Sequence, residues 1–513
     1  MDLATALTWA AERYPDRTAV RGTGRHLSYR EWDARTNRLA RAMASTGIRP
    51  GDRVALCMAG GEPLASLHLA AQKLGAVSVP LSTRFGAEEL GYCLDNAAAK
   101  LLVTDSTTAE RAAQATAGLG SLVVRGGGDL DARAEGESDA AIPDVPAETD
   151  ISVMLYTSGT TGRPKGVPRT HRAEHSAAVA HAVQTQQRNG EVTLGVMPMF
   201  HTMGLRTLLA SIVVGGTWVA QPAFDADESM GLILDQGVSS LYLVPTIYWS
   251  LLRTGRLGEA RTLDRLAYAG AAMTPSLAEQ LVEAVSPRAF VNHFGSTEIY
   301  TFTIGPDVAA KPGSAGRAGI FSRVRLVAPQ IGAPPDAIVA PGEQGQVIVS
   351  MDSPEAFAGY WERPDANEKS IRDGWYYTGD LATADEDGDL WVAGRVDDMI
   401  NSGGENIYPD EIEAALIRCP AIDDVCVVGL PDERWGHAVT AFVVPAKGID
   451  PLTAAEQAVA FARDGSGLPS LKRPKRVIAV DSIPRSGVGK TLRRTLVAGE
   501  FDALADSAKA GEA

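Results

Sequence analysis

Apolar residues along the chain follow two alternating rhythms. In one, four to six consecutive positions are almost all apolar or small: RVALCM at 53–58, AVSV at 76–79, LLVT at 101–104 and ISVML at 151–155. Such runs predict short strands buried on both faces. In the other, apolar residues recur at helical spacing, over 3–13, 27–43, 64–74 and 87–96. The second of these opens on Ser28 with Glu31 three residues on, the pattern of a capping box. Further strand-like runs follow at 194–196, 216–220, 240–244 and 266–268. The alternation predicts an α/β fold, with a large N-terminal domain of doubly wound parallel sheets.

Three stretches break this rhythm. Residues 125–150 are rich in Gly, Ala, Asp, Glu and Pro, which predicts a long surface connection. From 316 to 392 the strands are shorter (324–327, 346–350, 375–378, 390–392) and separated by Gly, Pro and Asp, predicting a β-rich subdomain. Beyond 397, helices at 409–417 and 454–463 alternate with strands at 425–429, 438–444 and 476–480, predicting a small α+β domain.

Composition narrows the function. The 513 residues are 45% hydrophobic and 22% charged, ordinary values for a globular protein. With 48 basic and 63 acidic residues the net charge is −15, which argues against broad binding to nucleic acid or an anionic membrane. Basic residues nevertheless gather near the C-terminus, at Lys472, Arg473, Lys475, Arg476, Arg485, Lys490, Arg493 and Arg494. That patch is either a solvated face or a local site for a small polyanion. The four cysteines are too few for a disulfide framework and lack metal-ligand spacing. No signal-peptide pattern opens the chain, and no apolar run approaches the ~20 residues of a bilayer span. These features predict a cytoplasmic protein, monomeric or homodimeric.

The densest chemistry lies at 156–166, YTSGTTGRPKG, directly after the strand ISVML. A glycine-rich turn after a strand aims backbone N–H groups at phosphate oxygens. Hydroxyls of Thr157, Ser158, Thr160 and Thr161 add donors, Gly159 and Gly162 give room, and Lys165 adds a positive charge. The spacing is not that of a Walker loop, because Gly166 follows the lysine. SGVGKT at 486–491 imitates the tail of one, but Pro484 stands where its first glycine belongs.

YTSGTTGRPKG, FGSTE at 294–298, YYTGD at 376–380, GRVDDMINSGGENIYP at 394–409 and PRSGVGKTLRR at 484–494 occur in one order. Together they resemble the adenylate-forming superfamily, over about residues 5 to 497. The match is closest to its acyl-CoA synthetase branch, and within it to bacterial aryl-CoA ligases of the chlorobenzoate and benzoate type. The resemblance implies an N-terminal adenylation domain (1–396) and a small mobile C-terminal domain (397–513) hinged at Asp397. It implies an ATP-dependent, AMP-forming acid–thiol ligase that adenylates a small aromatic or alicyclic carboxylate and transfers the acyl group to CoA. An adenylating enzyme serving a carrier protein or an amine, including nitrite-activating diazo-forming relatives, is the alternative.

The residue roles implied are as follows. Lys490 bridges carboxylate and α-phosphate, Glu298 holds Mg²⁺, Thr297 contacts phosphate, and His201 joins them in the catalytic set. The 157–165 loop covers the pyrophosphate, Asp380 takes the ribose hydroxyls, and Arg395 lies near ribose and phosphate. Gly403 and Gly404 line the pantetheine tunnel, while Arg84, Trp435, Arg473 and Lys475 hold the CoA nucleotide. The acid pocket is walled by Thr202, Met203, Tyr242, Ala269, Gly270, His293, Gly295, Tyr300 and Thr301, with Tyr242 and Tyr300 able to sandwich a flat ring. His293 departs from the chlorobenzoate-type pattern, which has an aliphatic residue there. It reads either as a partner for a polar ring substituent or as a residue making a buried hydrogen bond to the backbone. Arg206 reads either as facing a second anionic group or as part of a helix surface.

Overall fold

The computed structural model describes residues 2–513 apart from 121, 144–145, 158–162, 331, 403–404, 433, 486–490 and 507–513. Ser158, Gly159, Thr160, Thr161, Gly162, Gly403, Gly404 and Lys490 therefore lie outside the described residues, and Asp397 is described in its backbone only. The chain forms two units. The first comprises residues 1–325, 348–378 and 384–391; the second comprises 326–347, 379–383 and 392–513. The division falls inside four strands, Val324–Val327, Gly345–Ser350, Trp375–Ala384 and Leu390–Arg395, which carry the chain from one unit to the other. These are the strands of the β-rich stretch.

In the first unit the buried runs become parallel strands. One sheet takes the order Val123–Gly126, Leu101–Thr104, Arg53–Cys57, Val77–Pro80, Ile151–Thr157, Lys165–Thr170. Its last two strands pair antiparallel, with Thr157 opposite Lys165 at the open end. A nine-stranded sheet is parallel from Ala289–Phe294 through Arg265–Ala269, Ser240–Leu243, Val192–Gly195 and Thr217–Ala220 to Thr18–Gly22. Every residue of Leu101–Thr104, Thr217–Ala220, Ser240–Leu243 and Arg265–Ala269 is buried. Helices cover both faces of such strands, which is why they read as unbroken apolar runs. Tyr29–Ser45 is capped as expected, with Ser28 and Glu31 exchanging hydrogen bonds.

The expected surface connection at 125–150 contains a helix, Gly127–Ala134. The Asp129 carboxylate accepts the Gly126 N–H, Leu130 and Ala134 are buried, and Asp131 pairs with Arg35 and Arg25. Its glycine-rich start hid it, because glycine weakens a helix and the fixing contacts come from a helix about 100 residues earlier.

The second unit holds a six-stranded sheet. Glu405–Ile407, Ile400–Ser402, Gly436–Pro445, Arg476–Val480 and Ala503–Asp506 lie in that order, and Ile422–Asp432 forms a long hairpin with Gly436–Pro445. Ile412, Leu416, Val427, Val439 and Ala458 form a core with helices Pro409–Leu416 and Pro451–Asp464. Arg493, in helix Arg493–Val497, donates to Asp398 at 3.0 Å, Asp410 at 2.6 Å and Glu413 at 2.8 Å. It thus ties the segment after Lys490 to the turn Val396–Asp398 and to helix Pro409–Leu416. Among the described residues, no helix is long and apolar enough to cross a membrane.

Four buried histidines are held neutral in the first unit. Burial lowers the pKa of His68 to about 3 and of His171 to about 4, and lowers His181 and His293 well below their ordinary value. Unfolding exposes each imidazole, which then takes up a proton below about pH 6.5. The histidine contribution should therefore be fully present above pH 7 and stability should fall between pH 6.5 and 4, each group contributing up to about 1.4 kcal/mol per pH unit. Urea midpoints at pH 7.5, 6, 5 and 4.5 measure this, and His68→Asn should make the decline shallower. A midpoint unchanged from pH 7.5 to 4.5 would contradict it.

Candidate active site

The nine-stranded sheet brings together residues far apart in sequence. Four adjacent parallel strands end at Gly195, Leu243, Ala269 and Phe294. His201 follows the first, Tyr242 lies at the end of the second, Ala269 and Gly270 at the third, and His293 and Gly295 at the fourth. In open α/β sheets the ligand crevice lies at these carboxyl ends. Ala269 pairs in register with His293, and Tyr242 with Ala267. Alternation then sets Tyr242, Ala269 and His293 on one face of the sheet.

Helices His171–Gln184 and Thr202–Val213 contribute the other side of the cluster. His181 stacks on Tyr242 and His293, with ring centroids 4.7 and 5.1 Å apart. Arg206 does not sit on a helix surface. It is buried and donates to Tyr242 Oη at 3.4 Å, His293 Nδ1 at 3.1 Å and Thr301 Oγ1 at 3.0 Å, with Glu355 at 3.7 Å. A guanidinium can only donate, so His293 Nδ1 is the acceptor and the ring proton sits on Nε2. His293 is buried and hydrogen-bonded, but to the Arg206 side chain and not to the backbone as expected. His201 and Thr202 are half-buried, and Met203 is buried. Desolvation lowers the His201 pKa to about 4, so it acts as a neutral hydrogen-bonding group near neutral pH.

Tyr300 is placed differently from a ring-sandwiching residue. Its hydroxyl donates to Glu174 at 3.2 Å, and the Arg169 guanidinium lies 3.6 Å over its ring. One face of the ring is thus already covered. Gly295 also serves its own turn, because a Cβ there would overlap the Tyr300 carbonyl oxygen. Its lack of a side chain is required by the backbone, whatever lies in the pocket.

Thr297 and Glu298 sit in the turn after strand Ala289–Phe294. The Ser296 hydroxyl accepts the Glu298 N–H at 3.2 Å. The Glu298 carboxylate accepts the Tyr360 hydroxyl at 2.7 Å, and Lys165 Nζ lies 4.1 Å from the centre of the same tyrosine ring. Tyr360 therefore links the lysine that follows the Ser/Thr/Gly loop to the glutamate of FGSTE. Arg169 anchors this turn from beneath. Fully buried, it pairs with Glu174 and donates to the carbonyls of Thr297, Glu298 and Glu355 at 3.2, 3.2 and 2.9 Å. Sequence reading missed Arg169, Glu174, His181, Glu355 and Tyr360. Arg169 and Glu174 lie in RTHRAE, a run with a single apolar residue that reads as solvent-exposed, so no sign of their burial is present in the sequence.

A hard divalent cation such as Mg²⁺ keeps much of its water and needs only one or two carboxylates. Glu298, with the Thr297 hydroxyl beside it in sequence, offers that oxygen chemistry. A different carboxylate group, Asp385, Asp387 and Asp389, has metal-like spacing but is filled by Lys311, whose Nζ donates to them at 2.9, 2.6 and 2.6 Å.

In the second unit Arg395 donates to Asp380 at 2.6 Å, so two residues expected at a ribose and phosphate are paired with each other. Trp435 is half-buried, with the Arg434 guanidinium 5.0 Å and Lys475 Nζ 5.1 Å from its ring. Burial lowers the Lys475 pKa, and neighbouring Arg473 and Arg434 lower it further. Arg473 donates to the Leu468 carbonyl at 3.0 Å. In the first unit Arg84 is exposed, its backbone N–H bonded to Ser82.

The family model for AMP-binding enzymes matches residues 7–361, and that for the AMP-binding enzyme C-terminal domain matches residues 411–490. The chain belongs to the AMP-binding enzyme family. This AMP-binding enzyme is 37% identical over 492 residues to a feruloyl-CoA synthase of Amycolatopsis sp, covering 94% of the chain and 96% of that protein. It is 33% identical over 503 residues to a 4-chlorobenzoate–CoA ligase of Arthrobacter sp, covering 96% and 94%. Its fold matches the ATP-bound crystal structure of MatB from Rhodopseudomonas palustris with a TM-score of 0.86 at 29% identity, covering 97% and 99% of the two chains. The enzyme thus shares nearly all of its length with a feruloyl-CoA synthase and a 4-chlorobenzoate–CoA ligase.

Proposed function

We propose that this enzyme is an ATP-dependent, AMP-forming acid–CoA ligase acting on a small aromatic or alicyclic carboxylate. The observation that carries the reading is the convergence of Lys165 and Glu298 on Tyr360, which supports a phosphate site beside the strand ends that would receive the acid. The carboxylate attacks the α-phosphate and pyrophosphate leaves. That step concentrates negative charge, which fixed cations and donors stabilise. In this reading the Thr157–Lys165 segment faces the departing pyrophosphate, Thr297 contacts phosphate, and Glu298 holds Mg²⁺, which supplies Lewis-acid neutralisation when bound. His201 lines the reacting end as a neutral donor, and Lys490 bridges the acid and the α-phosphate. Asp380 and Arg395 exchange their mutual bond for contacts to the nucleotide.

Thiolate attack by CoA completes the reaction. The names of the relatives support CoA as acceptor. So does the second unit's cluster of Trp435, Arg473 and Lys475, an aromatic face among cations suited to an adenine and its phosphates. Arg84 belongs to the same set, and Gly403 and Gly404 line the path of the pantetheine. We place the domain boundary at 396/397 with Asp397 as hinge, a residue in the short turn Val396–Asp398 that follows strand Leu390–Arg395, the kind of connection in which a large backbone change can be absorbed.

A panel of aryl, alicyclic and short-chain acids, scored for AMP release with and without CoA, tests the reading. Acid-dependent turnover that needs CoA is expected. AMP release indifferent to CoA, or release that requires nitrite in place of a carboxylate, would overturn it. Trp435→Ala should raise the KM for CoA about 10-fold, the loss of one stacking contact, and leave the KM for ATP unchanged. An unchanged CoA KM would remove Trp435 from the site.

A further inference from the structure

Beneath the strand ends, where the acid is proposed to lie, four polar side chains are packed out of reach of solvent. Tyr242 is 3% exposed, His293 2%, His181 1% and Arg206 2%. A water-sized sphere reaches almost none of their surface, whether from outside or from an internal cavity. The three rings lie with centroids 4.7–5.2 Å apart, which is direct contact. No ring-sized space opens among them. Arg206 locks the arrangement by donating to both Tyr242 and His293 from one guanidinium nitrogen. Among the described residues, open surface lies nearer the strand ends, at Gly270 and Gly295 and beside half-buried His201.

The charges of this block are already matched. Arg206 faces Glu355 and Arg169 pairs with Glu174, all four side chains being buried. A second carboxylate reaching this depth would add an uncompensated buried charge, which is strongly unfavourable. A long chain or second ring would have to displace Tyr242 and His293, which Arg206 holds by hydrogen bonds, and the His181 ring packed against them.

We infer that the His181–Tyr242–His293 block, held by Arg206, sets the size limit of the acid: the substrate is a compact monocarboxylic acid, no larger than one ring, without a second charged group. Tyr242 and His293 are the specificity-determining residues, and Arg206 is a positioning residue acting through them. The inference rests on the proposed placement of the acid at the strand ends.

The test measures kcat/KM for AMP release by the full chain, with ATP, Mg²⁺ and CoA. The acids are propionate, cyclohexanecarboxylate, benzoate, biphenyl-4-carboxylate, dodecanoate and terephthalate. At least one of the first three should exceed each of the last three by about 100-fold or more. His293→Ala should narrow the ratio between benzoate and biphenyl-4-carboxylate by about 10-fold while leaving the KM for ATP unchanged. Should that variant fail to fold, the wild-type profile decides alone. Wild-type use of biphenyl-4-carboxylate, dodecanoate or terephthalate on a par with the compact acids would overturn the inference. So would a folded His293→Ala enzyme with an unchanged size profile. AMP release from no acid at all would remove the ligase reading, and this inference with it.

Discussion

Lys490→Ala is expected to lower the rate of acyl-adenylate formation by about 10³-fold, some 4 kcal/mol of transition-state stabilisation. Thioester formation from a supplied acyl-adenylate should stay within about threefold of wild type. The reasoning is electrostatic. In the first step a carboxylate oxygen approaches an anionic α-phosphate, and a lysine between them offsets repulsion that exists only in that step. In the second step the nucleophile is a thiolate and the leaving group is AMP, so the same cation has no such pair to bridge. Arg493, three residues further along the chain, grips three carboxylates. ATP–pyrophosphate exchange measures the first step and single-turnover thioester formation the second. Equal loss in both would contradict the role.

Arg169→Met should lower stability by about 3–5 kcal/mol, the range for removing one partner of a buried ion pair. Glu174 would be left buried with the Tyr300 hydroxyl, and the carbonyls of Thr297, Glu298 and Glu355 would each lose a donor, that of Glu298 keeping the Phe357 N–H. The urea midpoint reads this directly. A second readout separates the ATP site from the bulk fold. Where the variant folds, the KM for ATP should rise, because the Thr297–Glu298 turn loses the cation beneath it. Arg169→Lys should fall between the two, since an ammonium keeps the charge but cannot span the same set of acceptors. A wild-type midpoint in Arg169→Met would refute the anchoring role.

What could be read in advance was local. The strands under the site announced themselves as SLYL and RLAYA because parallel strands are buried on both faces, and the five motifs each lie within one short segment. The partnerships were not local. Arg169 meets carbonyls 128, 129 and 186 residues away, and no spacing rule covers such distances. Arg206 looked equally suited to a surface because charged residues usually are. Only the presence of Glu355 beside it explains how it stays inside. Helix His171–Gln184 carries polar His171, Glu174 and His181 as buried residues, so its polar positions misreport which side faces water. Gly295 reads as part of the acid-pocket wall, and its own turn demands a glycine there.

The balanced charges around Glu355 also bear on how this specificity can change over time. Because Arg169 and Arg206 both depend on nearby carboxylates, replacing any one member strands another, and neighbours so coupled are non-additive. A lineage adapting to a different acid would pass through unstable single replacements if it began with the ions. The passable route starts with the uncharged members, Tyr242 or His293, and alters the ions later in pairs. Laboratory selections for new acids on this scaffold should therefore recover changes at those two positions first.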